Sequence, residues 1–235
     1  MHRFFLEQDF DRGPVIVKEK HILHQMRSVL KLHKGEFVAF FNEAGQNAGF
    51  DFISEVKSIE KSAAAFIVRD KAENRRESSK KLVLFQSLIK KDKFEFVLQK
   101  ATEIGVSEIV PVISARSEKK SLNKERCALI LKEAAEQSGR AYIPRLRDVV
   151  HFEKAVEEAL TSGVRVYFTS TEEKEQQIHP SGERFFNLFI GPEGGWDERE
   201  LTIARARGCS TISLGRLILR SETAAMAAAY TLLWL

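Results

Sequence analysis

Two short apolar runs near the end of this chain each stop at a glycine-bearing turn. Phe186–Ile190 leads into Gly191-Pro192-Glu193-Gly194-Gly195-Trp196, and Thr211–Leu214 leads into Gly215-Arg216-Leu217-Ile218-Leu219-Arg220-Ser221. Each turn feeds a helical pattern. Asp197 with Glu200 three residues on spells a capping box, and the segment from Ser221 is dense in alanine. Strand, glycine turn and helix, used twice, constrain the fold to an open α/β sheet, where ligands sit beyond the carboxyl ends of the strands. Glycine there permits positive φ or close approach of backbone to a ligand. A shared pocket is the functional reading. A tight turn with no ligand uses the same glycines, and alanine is also a strong helix former. The first turn lacks the Gly-Lys-Ser/Thr ending of a phosphate-binding P-loop, and neither turn is Gly-x-Gly-x-x-Gly.

Upstream, strand and helix alternate from Leu82. Strands are expected at Leu82–Leu88, Glu108–Ile113 and Val164–Thr169. Between them fall helices opened by Asp92 and Glu95 as a capping box and stopped by Gly105, at Asn123–Ser138 before Gly139, and at Phe152–Leu160. About five strands alternating with helices predict a mostly parallel sheet covered on both faces. Residues 1–70 read differently. Strand-like runs occur at Arg3–Leu6, Pro14–Val17, Glu36–Phe41, Gly49–Val56 and Ala64–Val68, with one helical pattern at His21–Leu32. Many short strands with one helix suggest a small β-barrel. The polar stretch Asp70–Lys81 has no apolar period and is read as the linker.

Charge is uneven: 17 Lys+Arg against 13 Asp+Glu fall in residues 76–160, so that segment carries +4, the net charge of the whole chain. The cluster Arg116, Lys119, Lys120, Lys124 and Arg126, with Arg140, Arg145 and Arg147 beyond it, fits a polyanion such as RNA or a solvated surface. No apolar run approaches the ~20 residues that span a bilayer. The N-terminus lacks the pattern of a signal peptide. Cys127 and Cys209 make no disulfide framework, which points to a reducing cytoplasm. His21 and His24 stand at i,i+3 without cysteine or carboxylate companions, so no metal site is expected.

The two glycine blocks, "IGPEGGWDERE" and "LGRLILRSETA", resemble the RsmE family of 16S ribosomal RNA uridine N3-methyltransferases in the SPOUT superfamily. The resemblance extends to "HRFF", "HILHQMRSVLKLHKGE", "QSLIKKDKFEFVLQKATEIGVSEIVPVISARS" and "EAAEQSGR", in order over the chain. Departures are Lys31 for a usual arginine, Cys127 for a frequent tryptophan, Ser221 for a frequent threonine and Ala115 for a frequent glutamate. Lys31 keeps charge but loses the bidentate fork.

The resemblance implies a PUA-like RNA-binding β-barrel over residues 1–72. It implies a methyltransferase domain with a trefoil knot over 73–235, an exception to the near absence of knots in proteins. It further implies a cytoplasmic homodimer that acts on 16S ribosomal RNA in the small ribosomal subunit. The cofactor would be S-adenosylmethionine, and the family's target is N3 of uridine 1498, giving 3-methyluridine. Cofactor-binding residues would be Thr169, Ser170, Ile190, Gly191, Pro192, Glu193, Gly194, Gly195, Ser213, Leu214, Gly215, Leu217 and Leu219. Arg220, Arg116 and Arg140 are the candidate catalytic cations. Glu222 either takes the N3 proton, holds Arg220, or is an acid favoured near a helix N-terminus. Arg3, Arg27, Lys31, Lys119, Lys120 and Lys124 are the candidate RNA contacts. The same family frame leaves open another RNA target, or an assembly factor that kept the fold without the chemistry.

Overall fold

Alternation of period 2 before residue 77 and of strand with helix after it sorts the chain into two units. The computed structural model describes residues 1–11, 13–171 and 182–235. One unit comprises Met1–Glu77 with Ala135–Ile143, the other Ser78–Ala134 with Pro144–Leu235.

The first unit contains β1 (His2–Phe5), β2 (Pro14–Val17), β3 (Phe37–Phe41), β4 (Phe50–Ile59) and β5 (Ala64–Glu73). They form one sheet in the order β1-β3-β4-β5-β2. β1 and β3 are parallel, and the other pairs are antiparallel. Alternate residues point to one face, and there Phe4, Phe40, Phe52 and Phe66 are all but fully buried. Phe66 meets Phe40 edge-on at 4.9 Å. The ladder ends at β1 and β2 and does not close into a barrel among the described residues. Asp70–Glu73 is strand rather than linker, because it pairs with Phe50–Ile53 of β4; its side chains are exposed, so polarity there marks a solvated face. The helical pattern at His21–Leu32 is realised as α1 (Lys20–His24), which runs into a π-helical turn at Gln25–Val29. Lys31 follows at φ +51°, a left-handed conformation uncommon outside glycine.

Buried charge ties this unit together. The Arg3 guanidinium donates to Asp51 at 2.6 Å and to the carbonyls of Ala135 and Arg140 at 3.2 and 2.9 Å. Arg140 donates through Nε to Glu77 at 2.9 Å. Both arginine side chains are 7% exposed.

The second unit begins with β6 (Lys81–Ser87), α2 (Lys91–Ile104) and β7 (Glu108–Ile113). It continues through most of α3 (Lys124–Ser138), then β8 (Arg145–Leu146), β9 (Val150–His151), α4 (Phe152–Thr161) and β10 (Arg165–Thr169). β11 (Phe185–Ile190), α5 (Glu198–Ala206), β12 (Ser210–Ile212) and α6 (Ser221–Trp234) complete it. The seven strands follow the order β12-β10-β11-β6-β7-β8, with β9 also on β7, and every pairing is parallel. One face carries Phe85, Phe168 and Phe189 against α4 and α5; the Phe189 ring stacks on Phe85 at 4.3 Å and on Phe168 at 4.2 Å. Side chains alternate across a strand, and on the opposite face α6 lies over β6 and β11 beside α2. The five alanines of α6, of which Ala225, Ala228 and Ala229 are fully buried, permit that close approach. The capping box expected at Asp92 is absent: α2 starts two residues earlier, with Lys90 as N-cap and no side-chain cap. Asp197 and Glu200 do form theirs on α5. No helix among the described residues is long and apolar enough to cross a membrane.

Removing one partner of a buried ion pair leaves the other charge uncompensated, a loss of about 3–5 kcal/mol. Asp51→Ala is therefore expected to destabilise the first unit by about 3 kcal/mol in a denaturant titration. A loss below about 1 kcal/mol would show that Arg3 finds adequate partners in the two carbonyls alone.

Candidate functional site

Because β10, β11 and β12 are parallel neighbours, the loops leaving their carboxyl ends emerge at one edge of the sheet. These loops, Thr169–Thr171, Ile190–Trp196 and Ser213–Leu219, line a cavity of about 610 Å³, within the range of cofactor and small-molecule sites. Ile190, Ile212, Leu214, Leu217 and Leu219 supply apolar wall, and the glycine loop supplies backbone polar groups.

The loops are fastened to one another at Gly191. Trp196 donates from Nε1 to the Thr169 carbonyl at 2.9 Å, joining the second loop to the first. Its indole lies so close that a Cβ on Gly191 would stand 3.2 Å from ring atom Cε2. From the other side, Ser221 Oγ donates to the Gly191 carbonyl at 2.6 Å, joining the second loop to α6. Ser170 N–H donates to the Ile212 carbonyl at 3.0 Å, which ties the first loop to β12. Gly195 closes the glycine turn at φ +70°, its N–H donating to Pro192 O at 2.9 Å.

Every residue picked from the sequence for these loops, from Thr169 and Ser170 through Ile190–Gly195 to Ser213, Leu214, Gly215, Leu217 and Leu219, lines the cavity. Arg116 lines it too. Its Nη1 donates to Gly194 O at 2.7 Å, and its Nη2 lies 3.8 Å from Asp197. The loop that carries Arg116 is itself held, since Ala115 N–H donates to the buried Glu200 carboxylate at 2.8 Å. Arg220 is the exposed N-cap residue of α6, one position before Ser221. Glu222 is buried in the first turn of that helix, 3.8 Å from Lys93 Nζ. Arg140 is placed elsewhere: it belongs to the first unit, where its guanidinium is committed to Glu77. Arg3 is likewise turned inward on Asp51 and is not presented to RNA. Arg27, Lys31, Lys119, Lys120 and Lys124 are exposed, with Lys124 ion-paired to Asp148. That contact holds the Asp148 carboxyl below its ordinary range.

Trp196, Leu201, Ile212, Ser221 and Ala224 also line the cavity and were not picked from the sequence. The tryptophan directly after Gly-Gly was the available signal for the first of them.

No histidine, cysteine or lysine lines the cavity among the described residues, and its one carboxylate is that of Glu193. Cys127 and Cys209 are buried away from it, and desolvation pushes both thiols above their usual range. The cavity is built to hold and orient a compact ligand that brings its own reactivity, between apolar walls, the guanidinium groups of Arg116 and Arg216 and the carboxylate of Glu193.

A family model described as "RNA methyltransferase domain" matches residues 76–233, which embraces the whole sheet and all three loops. The second unit is thus that of an RNA methyltransferase. Ribosomal RNA small subunit methyltransferase E of Bacillus subtilis is 30% identical over 242 aligned positions, covering 95% of this chain and 93% of the relative. The protein of the same name from Mesomycoplasma hyopneumoniae is 36% identical over 177 positions, covering 73% and 77%. Among solved structures, the Neisseria gonorrhoeae ribosomal RNA small subunit methyltransferase E bound to S-adenosyl methionine superposes with a TM-score of 0.87 at 30% identity, over 98% of this chain and 96% of the other. A putative methyltransferase from Legionella pneumophila in complex with the same cofactor gives 0.82 at 27% identity, over 98% and 96%. The chain belongs to the ribosomal RNA small subunit methyltransferase E (RsmE) family.

Gly191 and Gly195 are glycine for different reasons, and alanine separates them. At Gly191 the Cβ meets the indole, so Gly191→Ala should displace Trp196, change its near-ultraviolet circular dichroism and cost about 1–3 kcal/mol, as overpacking does. At Gly195 nothing lies within 4 Å, and only the positive φ is strained; Gly195→Ala should cost about 1–2 kcal/mol with the tryptophan signal unchanged. The same tryptophan signal in both variants would contradict this division.

Proposed function

We infer that this protein transfers a methyl group from S-adenosylmethionine to N3 of a uridine in 16S ribosomal RNA of the small subunit, uridine 1498 in the family, giving 3-methyluridine. The observation that carries the reading is the cavity at the ends of three adjacent parallel strands, with its loops fastened at Gly191. Its residues fit the cofactor. Leu214, Leu217 and Leu219 offer apolar surface to a purine, backbone groups of the Ile190–Gly195 loop offer hydrogen bonds, and Glu193 offers the carboxylate in a lining otherwise charged by Arg116 and Arg216. Bound there, S-adenosylmethionine supplies an electrophilic methyl on a sulfonium.

This chain's residues supply the rest. Uracil N3–H is a weak acid between two carbonyls, so its proton must leave before or during attack. A guanidinium beside those carbonyls favours the anion, as preorganised positive charge does at other developing oxyanions. We assign this role to Arg220; its exposure and its position directly before the cavity residue Ser221 support the reading. Arg116 braces the Gly194 carbonyl and leaves half its side chain exposed at the same cavity. Glu222 is buried beside Lys93, which supports a part in fixing the first turn of α6 over a part as proton acceptor. Lys119, Lys120 and Lys124, with Arg27 and Lys31 on the first unit, are exposed cations suited to phosphate, which position RNA without reading its sequence. A PUA-like first unit, a trefoil knot at the loops, a homodimeric assembly and a cytoplasmic location complete the reading.

Mass spectrometry of nucleosides from small-subunit RNA, before and after treatment with protein and S-adenosylmethionine, tests it. One new methyl group on uridine N3 is expected. Methylation at another base or on ribose, or none with cofactor bound, would overturn it. In single turnover with saturating RNA, Arg220→Lys keeps the charge and loses the planar fork. Cofactor affinity should persist while the rate falls about 100-fold. An unchanged saturated rate with weaker RNA affinity would reduce Arg220 to a binding residue.

A further inference from the structure

Gln86 is a fully buried amide in β6, an interior strand flanked by β11 and β7 in the parallel sheet. Such positions ordinarily hold apolar side chains, and a buried amide destabilises the fold unless it is hydrogen-bonded. Its nitrogen donates to the Ser87 carbonyl at 3.1 Å and to Ser221 Oγ at 3.0 Å. Its oxygen is buried with no hydrogen-bond partner. A half-satisfied amide in a core calls for an explanation, and its satisfied half supplies one.

The direction of the hydrogen bonds follows from the partners. A carbonyl only accepts, so the group facing Ser87 O is the nitrogen, and that same nitrogen faces Ser221. Ser221 Oγ therefore accepts from Gln86, and its own proton goes to the Gly191 carbonyl at 2.6 Å. Ser221 does not cap its own helix: α6 has no side-chain cap at its N-terminus. The hydroxyl is held for the loop. Gln86, Ser221 and Gly191 thus form a relay from the sheet interior, through the first turn of the helix that Arg220 precedes, to the glycine loop at the cavity wall.

We propose that Gln86 is a positioning residue for the methyl transfer, fixing the Ser221 hydroxyl so that it holds the Gly191 carbonyl and sets the spacing between the glycine loop and the start of α6. The proposal rests on the cavity being the S-adenosylmethionine site. Gln86 is one residue removed from the cavity wall and reaches the cofactor only through Ser221.

The test is calorimetric titration of the full chain with S-adenosylmethionine, alongside hydrogen exchange of the Gly191–Gly195 amides in the cofactor-free protein. Gln86→Leu removes the donor at similar size. It should weaken cofactor affinity about tenfold, the effect of one neutral hydrogen bond, and speed exchange in the loop, with RNA affinity unchanged. Combined with Ser221→Ala, the losses should be less than additive, because both break one relay. Gln86→Glu gives a signature that packing alone does not. Protonated, the carboxyl still donates to Ser221; ionised, it accepts the Ser221 proton and takes it from Gly191. Burial raises that carboxyl's pKa. Affinity should therefore be near wild type at low pH and fall as pH rises through it, while wild type follows no such titration.

Wild-type protein that binds no S-adenosylmethionine overturns the cofactor reading. Wild type that binds, with folded Gln86→Leu binding equally well, overturns the role of Gln86 alone. Should Gln86→Leu not fold, the pH series of Gln86→Glu decides, and an affinity that tracks wild type at every pH overturns the proposal.

Discussion

The cavity depends on what is done to one peptide unit. Gly191 leaves the end of β11 with the Trp196 indole against its α-carbon and the Ser221 hydroxyl on its carbonyl oxygen. Parallel pairing brings three strand ends to one edge, but it does not keep the loops beyond them in place, since those loops lie outside the ladder. Side chains do that, Arg116 on the Gly194 carbonyl among them. Trp196 ties the second loop to the first, and Ser221 ties α6 to the second. With the loops fastened in this way, less ordering remains to be done when a ligand binds. Aromatic rings contribute too, because Phe168 and Phe189 of the sheet and Phe152 of α4 pack around the indole.

The first unit solves a different problem with a different device. Beside its phenylalanine core it uses a buried charge cluster of Arg3 with Asp51 and Arg140 with Glu77. Such pairs add little net stability over apolar residues of like volume, but they penalise any arrangement that leaves a charge alone. Their effect is to specify how residues 135–143 join strands that lie far away in sequence.

Much of the second unit was legible because its signals are local. The alternation of strand and helix from Leu82, the stop at Gly105 and the capping box of Asp197 with Glu200 depend on neighbours within a few residues. So do the glycine turns, and the residues chosen from them line the cavity. Where the sequence misled, the cause is non-local. Charge type does not record burial, so Arg3 and Arg140 read like Lys119 until Asp51 and Glu77 are seen beside them. The polar Asp70–Glu73 reads as linker because the β4 partner that makes it strand lies about twenty residues earlier. The return of residues 135–143 to the first unit has no composition signal at all. The π-turn at Gln25–Val29 shifts its hydrogen bonds by one residue, a difference too small for apolar spacing to register.

The claim that the loops are fastened before any ligand arrives is tested most directly by crystal structures of this chain with and without S-adenosylmethionine. The account predicts the cofactor between the three loops, with Trp196 still on Thr169, Ser221 still on Gly191, and loop backbone moved by less than about 1 Å, as in preorganised sites. Cofactor found outside this cavity, or loops that part from these contacts to admit it, would contradict the account.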